Sequence, residues 1–207
     1  MVELERPGKT EIRKMNATKQ GNIMLQKGKR VYLRNPHKED CKEFTVLNRA
    51  SKRFYNGWAS PPATPKQFEQ YLVRCAQSTV EGLLVCDTDD NMIMGAINLS
   101  QIFHGNFKNA YMGYYIAEKY SGQGYMTEGM RLAIDHAFGE IGLHRLEANI
   151  QPGNEKSISL VKRLGFTLEG YSRRYLKIAG RWRDHERWAI NAEDWREVKK
   201  RLPKNNL

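Results

Sequence analysis

Apolar and polar positions start to alternate at Arg30. Val31 and Leu33 stand against Tyr32 and Arg34, the period of two of a half-buried strand, and Asn35-Pro36 stops it. Phe44, Leu47 and Ala50 then recur at helical spacing. A second helix starts at Thr64-Pro65, a capping hydroxyl followed by a first-turn proline, and Phe68, Tyr71, Leu72 and Cys75 mark its inner face. Two apolar runs, 82–86 and 92–99, flank the turn Asp87-Thr88-Asp89-Asp90-Asn91 and predict a hairpin. A third strand follows at 111–117, after a polar loop. Met126, Met130, Ala133, Ile134, Ala137 and Phe138 are spaced i, i+4, i+7, i+8, i+11 and i+12, which predicts an amphipathic helix beginning at the glycine loop 121–129. Residues 145–150 read as a strand. Pro152-Gly153-Asn154 opens a short helix with Ile158, Leu160, Val161 and Leu164, and Gly165 closes it. Strands at 166–178 and 182–190 complete the pattern, joined through Ala179-Gly180-Arg181. The order implies a mixed α/β domain, mostly antiparallel, in which the strand-loop-helix-strand unit needs one parallel pair. Residues 1–28 show neither period and predict an extended or mobile arm, with the domain over 29–195 and a tail over 196–207.

A chain of 207 residues suits one domain that buries its own core. With 28% charged and 40% hydrophobic residues, wholesale disorder is excluded. No run approaches 18 apolar residues, and the N-terminal MVELERPGKTEIRK lacks the apolar stretch of a secretory signal, so a cytoplasmic protein without a membrane span is expected. Cys41, Cys75 and Cys86 lie far apart with no metal-ligand spacing, which argues against a zinc site or a disulfide framework and for three packed thiols. The net charge of +11 is concentrated at the ends: residues 1–30 carry 8 Lys/Arg against 3 Asp/Glu, residues 172–207 carry 11 against 5, and the middle balances at 15 against 15. Two readings of this asymmetry stand side by side, contact with RNA, including ribosomal RNA, and solvated ends that aid solubility.

Chemistry is concentrated at two places. At Ser121-Gly122-Gln123-Gly124-Tyr125-Met126, glycines let successive backbone N–H groups face one concavity with the positive end of a helix behind them, a receptor for a diphosphate. No GKS/T follows the glycines, and GQGYMT breaks the GxGxxG pattern at Thr127, so neither a P-loop nor a dinucleotide fingerprint is present. At the second place Asn154 caps a helix with Ser157 in its first turn.

In this order, with GQGYM, then HRLEAN at 144–149, PGNxxS at 152–157, RLGFTLEGY at 163–171 and GRWRDH at 180–185, the sequence resembles the GNAT superfamily of acetyl-CoA-dependent N-acetyltransferases over roughly residues 30–190. Within it, these pieces resemble the RimJ/RimL branch of ribosomal-protein N-terminal acetyltransferases, the alanine-specific RimJ type in particular. The resemblance implies the GNAT fold, a mostly antiparallel sheet with a splayed parallel pair, and acetyl-CoA as cosubstrate without a metal. By the same resemblance Gly122, Gln123, Gly124, Tyr125, Met126 and Thr127 hold the phosphates. Tyr115, Ile116 and Ala117 line the pantetheine arm, and Asn154 with Ser157 stands near the sulfur. Two departures bear on mechanism. Ser121 stands where the family loop places Arg or Gln, which removes a side chain and leaves the amides. Val161 stands where many relatives place a tyrosine acid, so Ser157 or a water it holds becomes the nearest proton donor for the leaving thiolate.

The reaction so implied is direct attack of an amine on the thioester, its carbonyl polarised by strand amides near Ile116 and Ala117, with no covalent enzyme intermediate. An α-amine of pKa about 8 is roughly one-tenth neutral at pH 7, whereas a lysine at about 10.4 is ~0.04% neutral, a gap of about 3 kcal/mol. Weak base chemistry therefore suffices for a protein N-terminus. Glu147, on the strand flanking the site, is the first candidate base, with a surface carboxylate as the alternative; His104 and His144 read mainly as loop or surface residues. Trp182 and Asp184 face opposite to Arg183 and His185 on one strand, so these four form no single cluster. Tyr55 and Trp58 line either an acceptor groove or the core. Three functions are compatible with these residues: acetylation of a protein N-terminus, probed first on ribosomal proteins; acetylation of a small amine such as a polyamine or an antibiotic; and a non-catalytic ribosome-associated module. The chain is read as a monomer or a homodimer.

Overall fold

The computed structural model describes residues 23–55 and 57–201. Among these residues eight strands form one sheet: β1 (Met24–Lys27), β2 (Val31–Arg34), β3 (Val80–Asp87), β4 (Ile93–Phe103), β5 (Asn109–Ile116), β6 (Arg145–Ile150), β7 (Thr167–Ile178) and β8 (Arg181–Asn191). Their order is β1-β2-β3-β4-β5-β6-β8-β7. Every neighbouring pair is antiparallel except β5 and β6. The six α-helices of the described residues are α1 (Cys41–Ala50), α2 (Lys52–Tyr55), α3 (Pro65–Cys75), α4 (Tyr125–Gly139), α5 (Glu155–Arg163) and α6 (Ala192–Arg201). None is long and apolar enough to cross a membrane.

The period of two sorts the strand side chains onto two cores. Leu83 and Val85 join Met126, Met130, Ala133, Ile134 and Ala137 of α4 on one face. Leu84 and Cys86 join Phe44 of α1 with Phe68 and Tyr71 of α3 on the other. Thr64 caps α3 as its sequence implies, accepting from the Gln67 amide at 3.3 Å while Gln67 Oε1 accepts from the Thr64 amide at 3.2 Å. Gly129 lets α4 lie close on the sheet: a Cβ there would stand 3.2 Å from both Val85 methyls.

One feature of the sheet positions the site. β5 and β6 pair only from Asn109↔Arg145 to Tyr111↔Glu147. Past that point β5 stays with β4 as far as Ile116↔Gly95, and β6 stays with β8 as far as Ile150↔Glu186. Each strand is held on its outer side, so the two diverge into a wedge.

Both ends of the predicted domain shift outward. Residues 24–27, read as part of the arm, form β1 and pair with β2. They lie at an exposed sheet edge, where backbone bonding and not side-chain burial selects the strand, so no alternation marks them. Residues 196–201, read as tail, continue α6. The helix is anchored by Trp195, buried, whose Nε1 donates to Asp135 Oδ1 at 2.8 Å, and by Lys199, whose Nζ donates to the same oxygen at 2.7 Å. The rest of the expected arm and tail, 1–22 and 202–207, lies outside the described residues.

Candidate active site

The wedge opens into a cleft of about 780 Å³, walled by β5, the 120–127 loop with the start of α4, residues 153–163, and the segment after α1. Gly122 and Gly124 have φ of +77° and +85°, and Gly124 is the N-cap of α4 with no side-chain cap. This left-handed backbone is why glycine is required there. Its result is a run of amides, 122 through 127, for which no acceptor exists among the described residues; the first helical bond is Glu128 N–H to the Gly124 carbonyl at 3.1 Å. A Cβ at Gly122 would meet only open space. Unbonded donors at a helix N-terminus beside an open cleft fit a diphosphate. The loop contributes main chain rather than side chains at two positions. Gln123 Nε2 donates to the Lys119 carbonyl at 2.7 Å, and Tyr125 packs edge-on against Tyr120.

The loop is held from a distance. Arg30, in the β1–β2 turn, donates to the Gln123 carbonyl at 3.0 Å, pairs with Glu128 at 3.2 Å, and covers the Tyr125 ring at 4.6 Å from its centroid. The family's cationic or amide side chain at position 121 is missing, and a guanidinium from far upstream in the sequence stands near this loop.

At the other end of the wedge, Asn154 accepts from the Ser157 amide at 3.3 Å and so caps α5, while both residues line the cleft. Ser157 Oγ donates to Tyr114 Oη at 2.7 Å, and Tyr114 Oη donates to the Ser157 carbonyl at 3.4 Å. Burial pushes the Tyr114 phenol up to about 12. Sequence reasoning did not single out Tyr114. Its signal was available: Met112, Tyr114 and Ile116 share one strand face, and Tyr114 is the polar member on a face that otherwise joins the core. Val161, where the resemblance leads one to expect a tyrosine, is fully buried among apolar side chains.

Of the expected arm-lining residues, Tyr115 and Ile116 border the cleft and Ala117 does not. Ala117 is buried and its N–H donates to the Met94 carbonyl at 2.9 Å, so it has no amide left to polarise a thioester. The same bond makes Ile116↔Gly95 a non-hydrogen-bonded pair, which turns the Ile116 N–H away from β4 and into the wedge. Of the two amides expected to polarise the carbonyl, that of Ile116 is the one left without a β4 partner. The Tyr115 ring points to the opposite face, stacked edge-on against Tyr55 and Phe44.

Glu147 is outside the cleft lining. Its Oε1 accepts from Arg145 Nε at 3.0 Å and from Asn109 Nδ2 at 3.3 Å, in a network that continues from Arg145 to Glu169. A carboxylate held in this way is an ion-pair partner of Arg145. His144 pairs with Glu193 at the surface at 3.0 Å. Asp184 accepts from Tyr171 Oη while His185 is buried on the other face, as the strand period requires. Tyr55 and Trp58 line the cleft with Phe54, and Gln151 ties this segment to the base of α5 by donating to the Gly57 carbonyl at 3.0 Å.

These elements are those of an acyltransferase built around a split sheet. The chain belongs to the GNAT family: that family's acetyltransferase domain matches residues 30–167. Within the family it is RimJ-like. A probable N-acetyltransferase of Bacillus subtilis, YjcK, is 32% identical over 179 residues, 82% of this chain and 99% of that protein. The ribosomal protein uS5-alanine N-acetyltransferase of Escherichia coli is 41% identical over 109 residues, covering 53% of this chain and 56% of that enzyme. In structure, Mycobacterium smegmatis RimJ in complex with CoA-disulfide superposes with a TM-score of 0.73 at 25% identity, covering 79% of this chain and 83% of that one.

Proposed function

We propose that this enzyme transfers the acetyl group of acetyl-CoA to the N-terminal α-amine of a protein, with ribosomal proteins as the first class to test. One observation carries the reading: a row of unbonded amides at 122–127 stands at one end of a wedge whose other end presents the Ser157–Tyr114 hydroxyl pair. Acetyl-CoA supplies an activated acyl thioester. The amides 122–127 and the α4 N-terminus hold its diphosphate, and Lys156 and Arg163 on the facing wall add positive charge. The Ile116 N–H donates to the thioester carbonyl oxygen. Asn154 holds the first turn of α5 so that Ser157 faces Tyr114.

The bond changes balance without any group of the chain being consumed. The amine nitrogen bonds the acyl carbon, the carbon–sulfur bond breaks, and a proton lost from nitrogen arrives on sulfur. The Ser157–Tyr114 pair carries that last transfer, because its hydroxyls stand at the α5 end of the cleft, where the resemblance puts the sulfur. Roughly a tenth of an α-amine is already neutral at pH 7, so the amine needs little help. Glu147 is accordingly assigned no base role.

The relatives' names include both acceptor classes, a ribosomal protein uS5-alanine N-acetyltransferase at 41% identity and a spermidine N(1)-acetyltransferase at 30%. The cleft's own charge favours a protein acceptor over a polycation: its charged lining residues are Glu155, Lys156 and Arg163, and one carboxylate is not the acidic cluster that would gather a polyamine. The test is intact-mass screening with acetyl-CoA of peptides starting in Ala, Ser or Met, with spermidine and an aminoglycoside alongside. A gain of one acetyl group on the N-terminus of an Ala- or Ser-starting peptide supports the proposal. Transfer to spermidine alone selects a small-amine enzyme, and release of free thiol with no acceptor modified removes the basis for a protein acceptor.

A further inference from the structure

The β7–β8 hairpin outgrows the sheet. β8 pairs with β6 only from Glu186 to Asn191, yet the hairpin continues to Ile178↔Arg181. Its outer part pairs with no third strand and forms a two-stranded ribbon about 20 Å long at the usual strand rise, with His185 buried at its base. Between Tyr171 and Arg183 the sequence has five cations, Arg173, Arg174, Lys177, Arg181 and Arg183, and no carboxylate. All five are exposed, and none forms an ion pair among the described residues. The nearest acid is already engaged: Asp184 accepts from Tyr171 Oη at 2.6 Å and from the Arg174 amide at 2.7 Å. Among these charges Trp182 is 62% exposed, standing directly across from Lys177.

We propose that this ribbon is a docking surface for single-stranded RNA. Strand alternation puts Trp182 and Lys177 on one face and Arg181 and Arg183 on the other, so the ribbon presents cations on both faces and an unpartnered indole beside Lys177 on one. That combination matches a nucleic-acid strand, whose phosphates meet guanidinium and ammonium groups while a base stacks on the ring. A lipid surface fits poorly, because with charge on both faces neither face can enter a bilayer. A-form duplex fits poorly as well, because its paired bases offer no open ring face and its deep groove is too narrow for a ribbon. The inference is independent of which amine the enzyme acetylates.

The test uses the full chain and a fluorescein-labelled single-stranded RNA of about 20 nucleotides, with anisotropy read from about 50 to 200 mM KCl. The wild type is expected to bind, with affinity falling steeply with salt. Reversing two charges, R181E/R183E, is expected to weaken binding at least about tenfold and to flatten the log–log salt slope by about 0.7 for each phosphate that is no longer neutralised. W182A is expected to weaken binding about tenfold with the slope unchanged, and W182F to retain most of the affinity. Unchanged melting temperature and acetyl-CoA affinity in these variants show that the fold is intact. Four results would overturn the proposal: no association at the lowest salt, variants that bind like the wild type, preference for duplex RNA, or capture by phosphatidylserine vesicles without RNA binding.

Discussion

Replacing Tyr114 by Phe removes the hydroxyl that accepts from Ser157 Oγ at 2.7 Å and leaves the ring in place. The cost to folding is that of two neutral hydrogen bonds, about 0.5–1.5 kcal/mol each at most, because Ser157 is only half-buried and finds other partners. The cost to chemistry is larger. A positioned proton donor contributes about 10²- to 10⁴-fold, so Y114F and S157A are each expected to lower kcat by at least about 100-fold. The two hydroxyls act as one unit, and the double variant should fall no further than the worse single one. Burial that pushes Tyr114 up to about 12 keeps the phenol protonated across the assay range. The kcat/KM profile should therefore rise with the acceptor amine near pH 8 and stay level to about pH 10. The sign for stability is also fixed. The unfolded chain releases this proton at the ordinary value of 10.0 and the folded chain holds it to about 12, so the contribution is complete below pH 10 and is lost as pH rises toward 12. Steady-state kinetics with a reactive peptide and a thiol readout measure the catalytic effects, and urea unfolding as a function of pH measures the stability effect. A Y114F enzyme with full kcat, or losses that multiply in the double variant, would refute the assignment of the pair.

Arg30→Met removes the group that holds the Gln123 carbonyl and Glu128; an exposed pair of this kind is worth about 1 kcal/mol, so the acetyl-CoA KM should rise about fivefold with the acceptor KM unchanged, and Arg30→Lys should restore part of it. Glu147→Gln should change kcat/KM by less than about threefold at pH 7, since an α-amine is already partly neutral and the carboxylate is bound to Arg145; a hundredfold loss that a higher pH repairs would restore its role as base. Asp40→Ala leaves the Arg34 guanidinium, 4% exposed and held by two bonds of 2.7 and 2.8 Å, without its partner; urea unfolding should show a loss of about 3–5 kcal/mol, and a loss below about 1 would show that the pair is solvated.

The hydrophobic periods made most of the fold legible, because Val31, Leu33, Met126, Met130 and Ile158 occupy faces that a core must cover. Elements governed by something other than burial were hidden. β1 is an edge strand held by backbone bonds to β2, and α6 continues past residue 195 because Trp195 and Lys199 both reach Asp135, at least 60 residues back. The site divides in the same way. Gly122, Gly124, Asn154 and Ser157 announce themselves locally through backbone geometry and capping. Arg30 has no local signal, since its partner Gln123 lies 93 residues away, and which of Ile116 and Ala117 presents a free amide depends on the β4–β5 register, which no sequence period reports. Glu147 reads equally as a candidate base and as a surface carboxylate on its strand, and its bonds to Arg145 and Asn109 are visible only in the fold.

The phosphate-binding role proposed for residues 122–127 is tested most directly by calorimetric titration with acetyl-CoA and, in parallel, with S-acetylpantetheine, which has the same thioester and arm but neither the diphosphate nor the adenosine. Two charge-assisted bonds of about 1.5 kcal/mol each predict that the shortened compound binds at least about 100-fold more weakly. Equal affinity for the two compounds, or no heat with acetyl-CoA at all, would contradict it.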